Sequence, residues 1–241
     1  MLFGPTGIEK RLPFLHYLYP PWQGRKTKRC RVVLASCLEE ARKDGGFVLN
    51  IGSGSRRYGD HVLNIELTVL PDIDLLAAAE SLPFRDESVV GVILEHVLEH
   101  VQNPDVVIGE IRRVLGPHGW LYVETPFMVP YHEGPYDFRR WTLTGLRQLA
   151  GKSFTEEAAG VSMGPGTALM HLTREALAAG LAFNSLLIYR TVRVMIGWLT
   201  LWLKFMDILL LRGDQFGHIG AAGVFALFRI NKGTMASGIK K

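Results

Sequence analysis

Cysteine is scarce in this chain of 241 residues, which contains only Cys30 and Cys37. Both fall on one predicted helix, where seven residues of helical rise separate them by roughly 10 Å, too far for a disulfide. We therefore expect two free thiols and a reducing, cytoplasmic environment. The N-terminus lacks a basic segment followed by an apolar one, because prolines interrupt it, so we expect no signal peptide.

The chain also lacks a strong charge of either sign, since its net charge at pH 7 is only +4. The one basic run, at residues 25–29, is either a solvated linker or a segment that attracts phosphate or anionic lipid. Aromatic and basic residues are not interleaved, so no nucleic-acid partner is expected. With 48% hydrophobic and 21% charged residues, the composition is that of a globular protein with a sizeable core.

Apolar runs and helical periodicities alternate through the first two thirds of the chain. Helices are predicted at residues 31–43 and 104–115, and strands at residues 47–51, 62–65, 75–79, 89–94 and 120–123. Short connections between such elements favour a parallel sheet with helices on its faces.

A glycine-rich turn, Gly52-Ser53-Gly54, directly follows the first predicted strand. Glu66 ends the second strand, where its carboxylate can accept both hydroxyls of a ribose, and the two strand ends are neighbours in a parallel sheet. Alternatively, residues 52–54 form an ordinary turn and the carboxylate of Glu66 is solvated, with no ligand bound by either. Glu66 lies only 12 residues after Gly54, whereas a dinucleotide fingerprint places its acid about 20 residues on. This spacing disfavours an NAD- or nucleotide-binding enzyme, which stays an alternative.

Five segments resemble, in order, motifs of the class I S-adenosylmethionine (SAM)-dependent methyltransferases, in particular the type 11 domain. They are residues 48–54, Glu66, residues 81–88, 95–100 and 110–119. The resemblance implies a Rossmann-like α/β fold: a seven-stranded, mostly parallel sheet with helices on both faces. It also implies SAM as cofactor and a methyltransferase activity. The cofactor-binding residues it implies are Gly52, Ser53, Gly54, Glu66, Leu67, Ala79, Glu80, Leu82 and Glu95.

Three positions depart from the family pattern, and one of them is His118, which replaces a glycine. Ala78 stands where the family often has an aspartate that holds the adenine, so backbone amides near Ala79 and Glu80 would read the base instead. Val90 replaces an aspartate usual at the start of the fourth strand. A non-catalytic SAM-binding or scaffold protein on the same fold therefore stays an alternative. Arg56 or Arg57 is a candidate for holding the methionine carboxylate of SAM.

Residues 96–100, His-Val-Leu-Glu-His, also match a zinc-protease pattern, in which two histidines on a helix share Zn²⁺. That chemistry requires the motif in the body of a helix. Here the motif abuts the end of a predicted strand, so we expect no metal site.

Residues 126–142 follow the fifth predicted strand and are rich in His, Tyr, Asp and Arg. We expect this segment at the carboxyl edge of the sheet, beside the cofactor. His132 is then the candidate catalytic base or acceptor ligand, with Tyr136, Asp137 and Arg140 binding the substrate. The alternative is a loop pinned by an Asp137–Arg140 pair, with Thr142 capping the next helix. Both interpretations can hold together.

A strongly apolar segment, residues 166–212, precedes the last predicted strand at residues 224–230. Its polar residues recur at spacings of three and four and so form one narrow helical stripe: Arg190, Arg193, Gly197, Thr200, Lys204 and Asp207. Lys204 and Asp207 disfavour a transmembrane helix, which needs about 20 apolar residues with few charges. A helix at a membrane surface, a helix packed on residues 1–29, and a homodimer contact through residues 167–212 stay open.

These observations predict an N-terminal extension (1–30), a SAM-binding core (31–165), an apolar helical insertion (166–212), and a last segment (213–241) with the final strand and a tail. We expect a cytoplasmic protein, peripheral to the membrane if the insertion binds lipid. Its acceptor is expected to be a small molecule or a lipid-like compound, because either would suit the apolar insertion.

Overall fold

The computed structural model describes residue 24 and residues 26–54, 56–132, 136–211 and 217–231. Most of the predicted N-terminal extension, and the tail after residue 231, lie outside the described residues.

Seven strands form one sheet in the order β3-β2-β1-β4-β5-β7-β6. Neighbouring strands pair in parallel from β3 through β2, β1 and β4 to β5, as βαβ connections require. The strands are β1 (Val48–Ile51), β2 (Val62–Glu66), β3 (Leu75–Leu76), β4 (Val89–Glu95), β5 (Leu115–Pro126), β6 (Phe154–Met163) and β7 (Gly223–Ile230). The predicted seven-stranded α/β sheet is confirmed.

Among the described residues, three α-helices and a short 3-10 helix (Gly151–Ser153) precede β6, and the other helices form the predicted apolar insertion between β6 and β7. The first three are α1 (Lys28–Lys43), α2 (Pro104–Val114) and α3 (Leu143–Ala150). The insertion contains α4 (Pro165–Gly180), α5 (Leu186–Thr200), a 3-10 helix (Leu201–Met206) and α6 (Asp207–Leu210).

Three elements differ from the sequence-based expectation. The third strand has only two residues, and β5 begins at Leu115 rather than Trp120, with a register irregularity against β4. Strand β6 was not predicted, because its sequence lacks both a continuous apolar run and a regular alternation of apolar and polar residues.

The centre of the sheet carries the main hydrophobic core. Val48, Ile93, Trp120, Tyr122 and Phe225 are at most 1% exposed. Helix α1 covers this core with residues spaced four, three and four apart, namely Cys30, Leu34, Cys37 and Ala41. Each fully buried large apolar side chain contributes about 1.5–3 kcal/mol. Both cysteines are buried free thiols, as predicted.

The chain divides into two compact units. We call the first the helical unit; it comprises residues 1–27, 126–140 and 161–224. The second, the sheet unit, comprises residues 28–125, 141–160 and 225–241.

Candidate functional site

The glycine turn after β1 requires glycine for two separate reasons. Gly52 and Gly54 have φ values of +65° and +54°, which other residues rarely adopt. A Cβ atom on Gly52 would also lie 2.4 Å from Cγ2 of Val97. The turn is fastened to β2, since the amides of Gly52 and Ser53 donate to the carbonyl of Ile65 at 2.9 and 3.4 Å.

The side chain of Glu66 reaches from the end of β2 to the glycine turn. Its Oε1 accepts a hydrogen bond from the amide of Gly54 at 2.7 Å, and its Oε2 accepts one from the amide of Leu67 at 3.2 Å. An ionised carboxylate has about four acceptor positions, so each oxygen can accept a further donor. The structure thus brings together the turn and the acid that the sequence pointed to.

Two asparagines inside the apolar strands support this arrangement, and the sequence analysis did not single them out. Asn50 of β1 donates from Nδ2 to Oδ1 of Asn64 on β2 at 3.0 Å, and both side chains are buried. Asn64 in turn donates to the carbonyls of Arg56 and Asp72 at 3.1 and 2.9 Å. The signal was present: each strand carries one amide at the third position of an otherwise apolar run, and a buried amide needs partners.

The basic residues after the glycine turn are engaged by acidic ones. Arg56 forms an ion pair with Glu95 at the end of β4, and the hydroxyl of Tyr58 donates to the same Glu95 oxygen at 2.7 Å. Arg57 donates from two nitrogens to Asp74, at 2.7 and 3.1 Å. Glu95, predicted to contact the cofactor, therefore also anchors the segment that carries Arg56.

The segment around Leu82 is held by helix α2. The amide of Leu82 donates to Oε1 of Glu110 at 2.7 Å, and its carbonyl accepts from Arg113 at 3.0 Å. Arg113 also donates to the carbonyl of Phe84 and to Asp86. Both polar groups of the Leu82 peptide are thus used within the protein, and its side chain is buried. Two of the motifs in the resemblance are therefore fastened to each other.

Of the two other predicted adenine-contacting residues, Ala79 is buried and Glu80 is exposed. They lie in a turn closed by a bridge between Ala78 and Ser81.

His96, directly after β4, has a φ of +57°, an uncommon value for a residue with a side chain. Its Nδ1 lies 3.6 Å from Oε1 of Glu99 and its Nε2 lies 3.5 Å from Oε1 of Glu124, and both glutamate side chains are fully buried. Burial opposes the charged imidazole, but these two carboxylates outweigh it and raise the pKa of His96 to about 9. Residues 96–100 form a turn rather than a helix.

In the helical unit, His132, Asp137 and Arg140 lie together. The amide of His132 donates to Oδ2 of Asp137 at 2.8 Å, and Arg140 donates to the same oxygen at 2.6 Å. Nη2 of Arg140 lies 3.3 Å from Nδ1 of His132. Burial would raise the pKa of Asp137, but hydrogen bonds from Arg140 and His132 hold it below its ordinary value. The carboxylate of Asp137 thus accepts hydrogen bonds from His132 and Arg140 of its own loop.

The alternative interpretation of this loop is also found. The Asp137–Arg140 ion pair is present, and the hydroxyl of Thr142 accepts from the amide of Gly145 at 3.0 Å as the N-cap of α3. Tyr136 is 64% exposed and contacts Phe138, with ring centroids 5.6 Å apart and ring planes tilted by 35°.

Comparison with solved structures shows the fold. The coclaurine N-methyltransferase structure with N-methylheliamine and SAH is similar with a TM-score of 0.52 and 13% identity, over 93% of this chain and 81% of that one. A protein assigned as a sarcosine dimethylglycine methyltransferase from Galdieria sulphuraria is similar with a TM-score of 0.50 and 15% identity, over 86% and 91%. No curated protein sequence matches the chain.

Residues 56–123 match the family model Methyltransf_11, described as a methyltransferase domain. This match covers β2 to β5, and with them most of the residues placed at the carboxyl edge of the sheet. Over residues 56–123 the chain carries a methyltransferase domain. S-adenosylmethionine is the cofactor expected for such a domain.

The carboxyl edge of the methyltransferase sheet fits such a cofactor. The glycine turn leaves open space at Gly54, where an added Cβ would meet nothing within 4 Å. Glu66 beside it keeps acceptor capacity for the two hydroxyls of a ribose.

Proposed function

We propose that this methyltransferase holds SAM through the Gly52–Gly54 turn and Glu66 and transfers the methyl group to a small molecule of apolar character. The contact between the amide of Gly54 and the carboxylate of Glu66 carries the proposal, because it aligns both groups at one edge of the sheet. When bound, SAM supplies an electrophilic methyl group on its sulfonium. The protein contributes mainly by positioning the reactants.

In this proposal, Glu66 binds the ribose and the amides near Ala79 and Glu80 bind the adenine. The peptide of Leu82 supports that turn rather than donating to the base, because Glu110 and Arg113 occupy its polar groups. Either arginine could hold the methionine carboxylate. Arg56 is the stronger candidate, since Asp74 takes two nitrogens of the Arg57 guanidinium.

His132 is proposed as the base that accepts a proton from the acceptor nucleophile, or as its ligand. The loop supports this role by fixing the backbone of His132 through Asp137. Asp137 and Arg140 then position His132, and Tyr136, whose side chain is exposed, is proposed to contact the acceptor.

The apolar character of the acceptor is inferred from the helical unit. Leu187, Leu199, Trp202 and Leu209 are each more than 60% exposed there, and an apolar surface of this kind suits a small apolar or lipid-like molecule better than a charged metabolite.

Two measurements test the proposal. Calorimetry with SAM, its demethylated product and NAD should show binding of the first two only; binding of NAD alone would overturn the assignment. Transfer of radiolabelled methyl from SAM to fractionated cell extract should label the organic-soluble fraction. Labelling of only the aqueous fraction would contradict the apolar acceptor, and no labelling in either fraction would favour a non-catalytic SAM-binding protein.

A further inference from the structure

Helix α4 and the helical stretch from Leu186 to Leu210 pack side by side in opposite directions. Glu175, late in α4, contacts Tyr189 and Arg193 early in α5, whereas Gly166, at the start of α4, contacts Asp207 at the start of α6. We call residues 165–210 the helical hairpin. All of it belongs to the helical unit.

Most charged groups of the hairpin face inward. Asp207 is 5% exposed and accepts hydrogen bonds from the amides of Gly166 and Thr167, at 2.6 and 3.2 Å, and from the Thr167 hydroxyl at 2.7 Å. It therefore caps the N-terminus of α4 from another helix.

A second inward cluster lies between α4 and α5. Glu175 accepts from Nε of Arg193 at 2.8 Å, from the hydroxyl of Tyr189 at 2.6 Å and from Nε of Arg174 at 2.8 Å. Arg174 is 5% exposed, and Lys204 is 8% exposed and lies over the ring of Phe205. The polar stripe predicted along residues 190–207 thus turns largely toward the protein.

The outer surface of the hairpin is apolar. Along the stretch from Leu186 to Leu210, exposed side chains follow helical spacing: Met195, Trp198, Leu199, Trp202, Phe205 and Leu209. Phe183, in the turn between α4 and α5, is 81% exposed. This stretch of 25 residues is long and apolar enough, by length and composition, to cross a membrane, and only 11% of its most apolar window is buried. In a usual surface helix the apolar side packs on the protein and the charged side faces solvent. In this stretch the charged side packs on the protein and the apolar side is exposed.

The charge that remains on this surface is basic. The hairpin contains four basic residues, of which Arg174, Arg193 and Lys204 turn inward as described above, and two acidic ones, Glu175 and Asp207. Both acidic side chains accept hydrogen bonds inside the hairpin, as described above. Arg190 is the half-buried basic residue beside the outer stripe. The outer face thus presents apolar side chains and no carboxylate, which complements a surface of acyl chains and anionic headgroups.

We propose that the helical hairpin docks this methyltransferase on an anionic membrane surface, with its apolar outer face at the boundary between headgroups and acyl chains. Trp198 and Trp202 are suited to that boundary, since indole rings combine a large apolar surface with one hydrogen-bond donor. Docking on one side fits better than spanning, because the inner side of the stretch is already packed on α4 and carries Arg193, Lys204 and Asp207.

Vesicle flotation of the full chain tests this proposal. The protein should float with vesicles of phosphatidylcholine containing phosphatidylglycerol and bind pure phosphatidylcholine more weakly. Leu199→Glu, which places a charge on the outer face, should lower the partition coefficient about tenfold or more. Val106→Glu is the matched control, because Val106 is a similarly exposed apolar residue on α2, and it should float like the wild type.

Three outcomes would overturn the docking proposal: no flotation of the wild type, flotation that Leu199→Glu leaves unchanged, or a stable dimer in light scattering that Leu199→Glu dissociates without any vesicle binding. The last result would assign the apolar face to a second copy of the chain. SAM calorimetry on the same variant separates this proposal from the proposed function, since loss of flotation with intact SAM binding concerns the hairpin alone.

Discussion

The amide of Gly54 donates a hydrogen bond of 2.7 Å to the carboxylate of Glu66, which joins the turn after β1 to the end of β2. The same carboxylate accepts from Leu67, so its orientation is fixed from two sides. A carboxylate held in this way before a ligand arrives loses little conformational entropy on binding.

Replacing Glu66 by glutamine should weaken SAM binding. The substitution keeps the side-chain length but removes the charge and replaces one acceptor oxygen by a donor group. Hydrogen bonds to charged groups contribute about 1.5–3 kcal/mol, so the dissociation constant should rise about tenfold or more. Calorimetry measures this, and Asp60→Asn, at an exposed acid of the same unit, should bind SAM like the wild type. Equal affinities of the Glu66 variant and the control would remove Glu66 from the binding site.

Protonation of His96 should make the stability of the protein depend on pH in the alkaline range. The pKa of His96 is raised from 6.5 to about 9 by Glu124 and Glu99. The resulting stabilisation is complete below about pH 6.5 and is lost as the pH rises through about 9. Urea unfolding at several pH values measures it, and NMR of the imidazole should show both nitrogens protonated at pH 7.5.

The variant His96→Gln should lose this pH dependence, because its side chain does not titrate. His61→Gln changes a histidine whose partner is a backbone carbonyl, and it should keep the dependence. A neutral imidazole at pH 7.5 in the wild type would show that the two carboxylates do not hold the proton.

His132→Ala should abolish turnover and leave SAM binding intact. Loss of a positioned base typically costs a factor of about 100 to 10,000 in rate. Asp137→Asn should reduce turnover less, since it weakens the support of His132 without removing the ring. Met128→Ala, elsewhere in the loop, serves as the control. The measurement is the transfer of radiolabelled methyl from SAM to the cell-extract fraction that the wild-type protein labels. Unchanged turnover of His132→Ala would exclude His132 as the base.

Asp207→Ala should destabilise the protein by about 3 kcal/mol or more. Its removal leaves the amides of Gly166 and Thr167 and the Thr167 hydroxyl without their acceptor in a buried position. Urea unfolding measures the difference, with Asp105→Ala as the control at an exposed acid in the first turn of α2. A loss no larger than that of the control would mean that the cap contributes little.

Much of the sheet and its edge was predictable because the signals there are local. Val48–Ile51 and Val89–Glu95 are apolar runs with the length of buried strands, and the turn at Gly52 needs a positive φ that glycine supplies. The position of Glu66 beside the glycine turn followed from parallel pairing, which places the ends of β1 and β2 side by side.

The surroundings of His96 were not predictable from these signals. Its partners, Glu99 and Glu124, come from a turn and from another strand, and their burial depends on the packed sheet. The same holds for Arg113, whose four partners lie at two places along the chain, the segment 82–86 and Glu110.

By itself, the sequence determined which residues of the stretch from Arg190 to Asp207 share one helical face, because helical periodicity is a property of the local backbone. Only the tertiary structure decided which way that face turns. The direction depends on partners that are distant in sequence: Arg193 bonds to Glu175, and Asp207 bonds to the start of α4. These hydrogen bonds compensate the free-energy cost of burying the charged groups. Once these charges turn inward, the tryptophans and leucines of the opposite face are left outside.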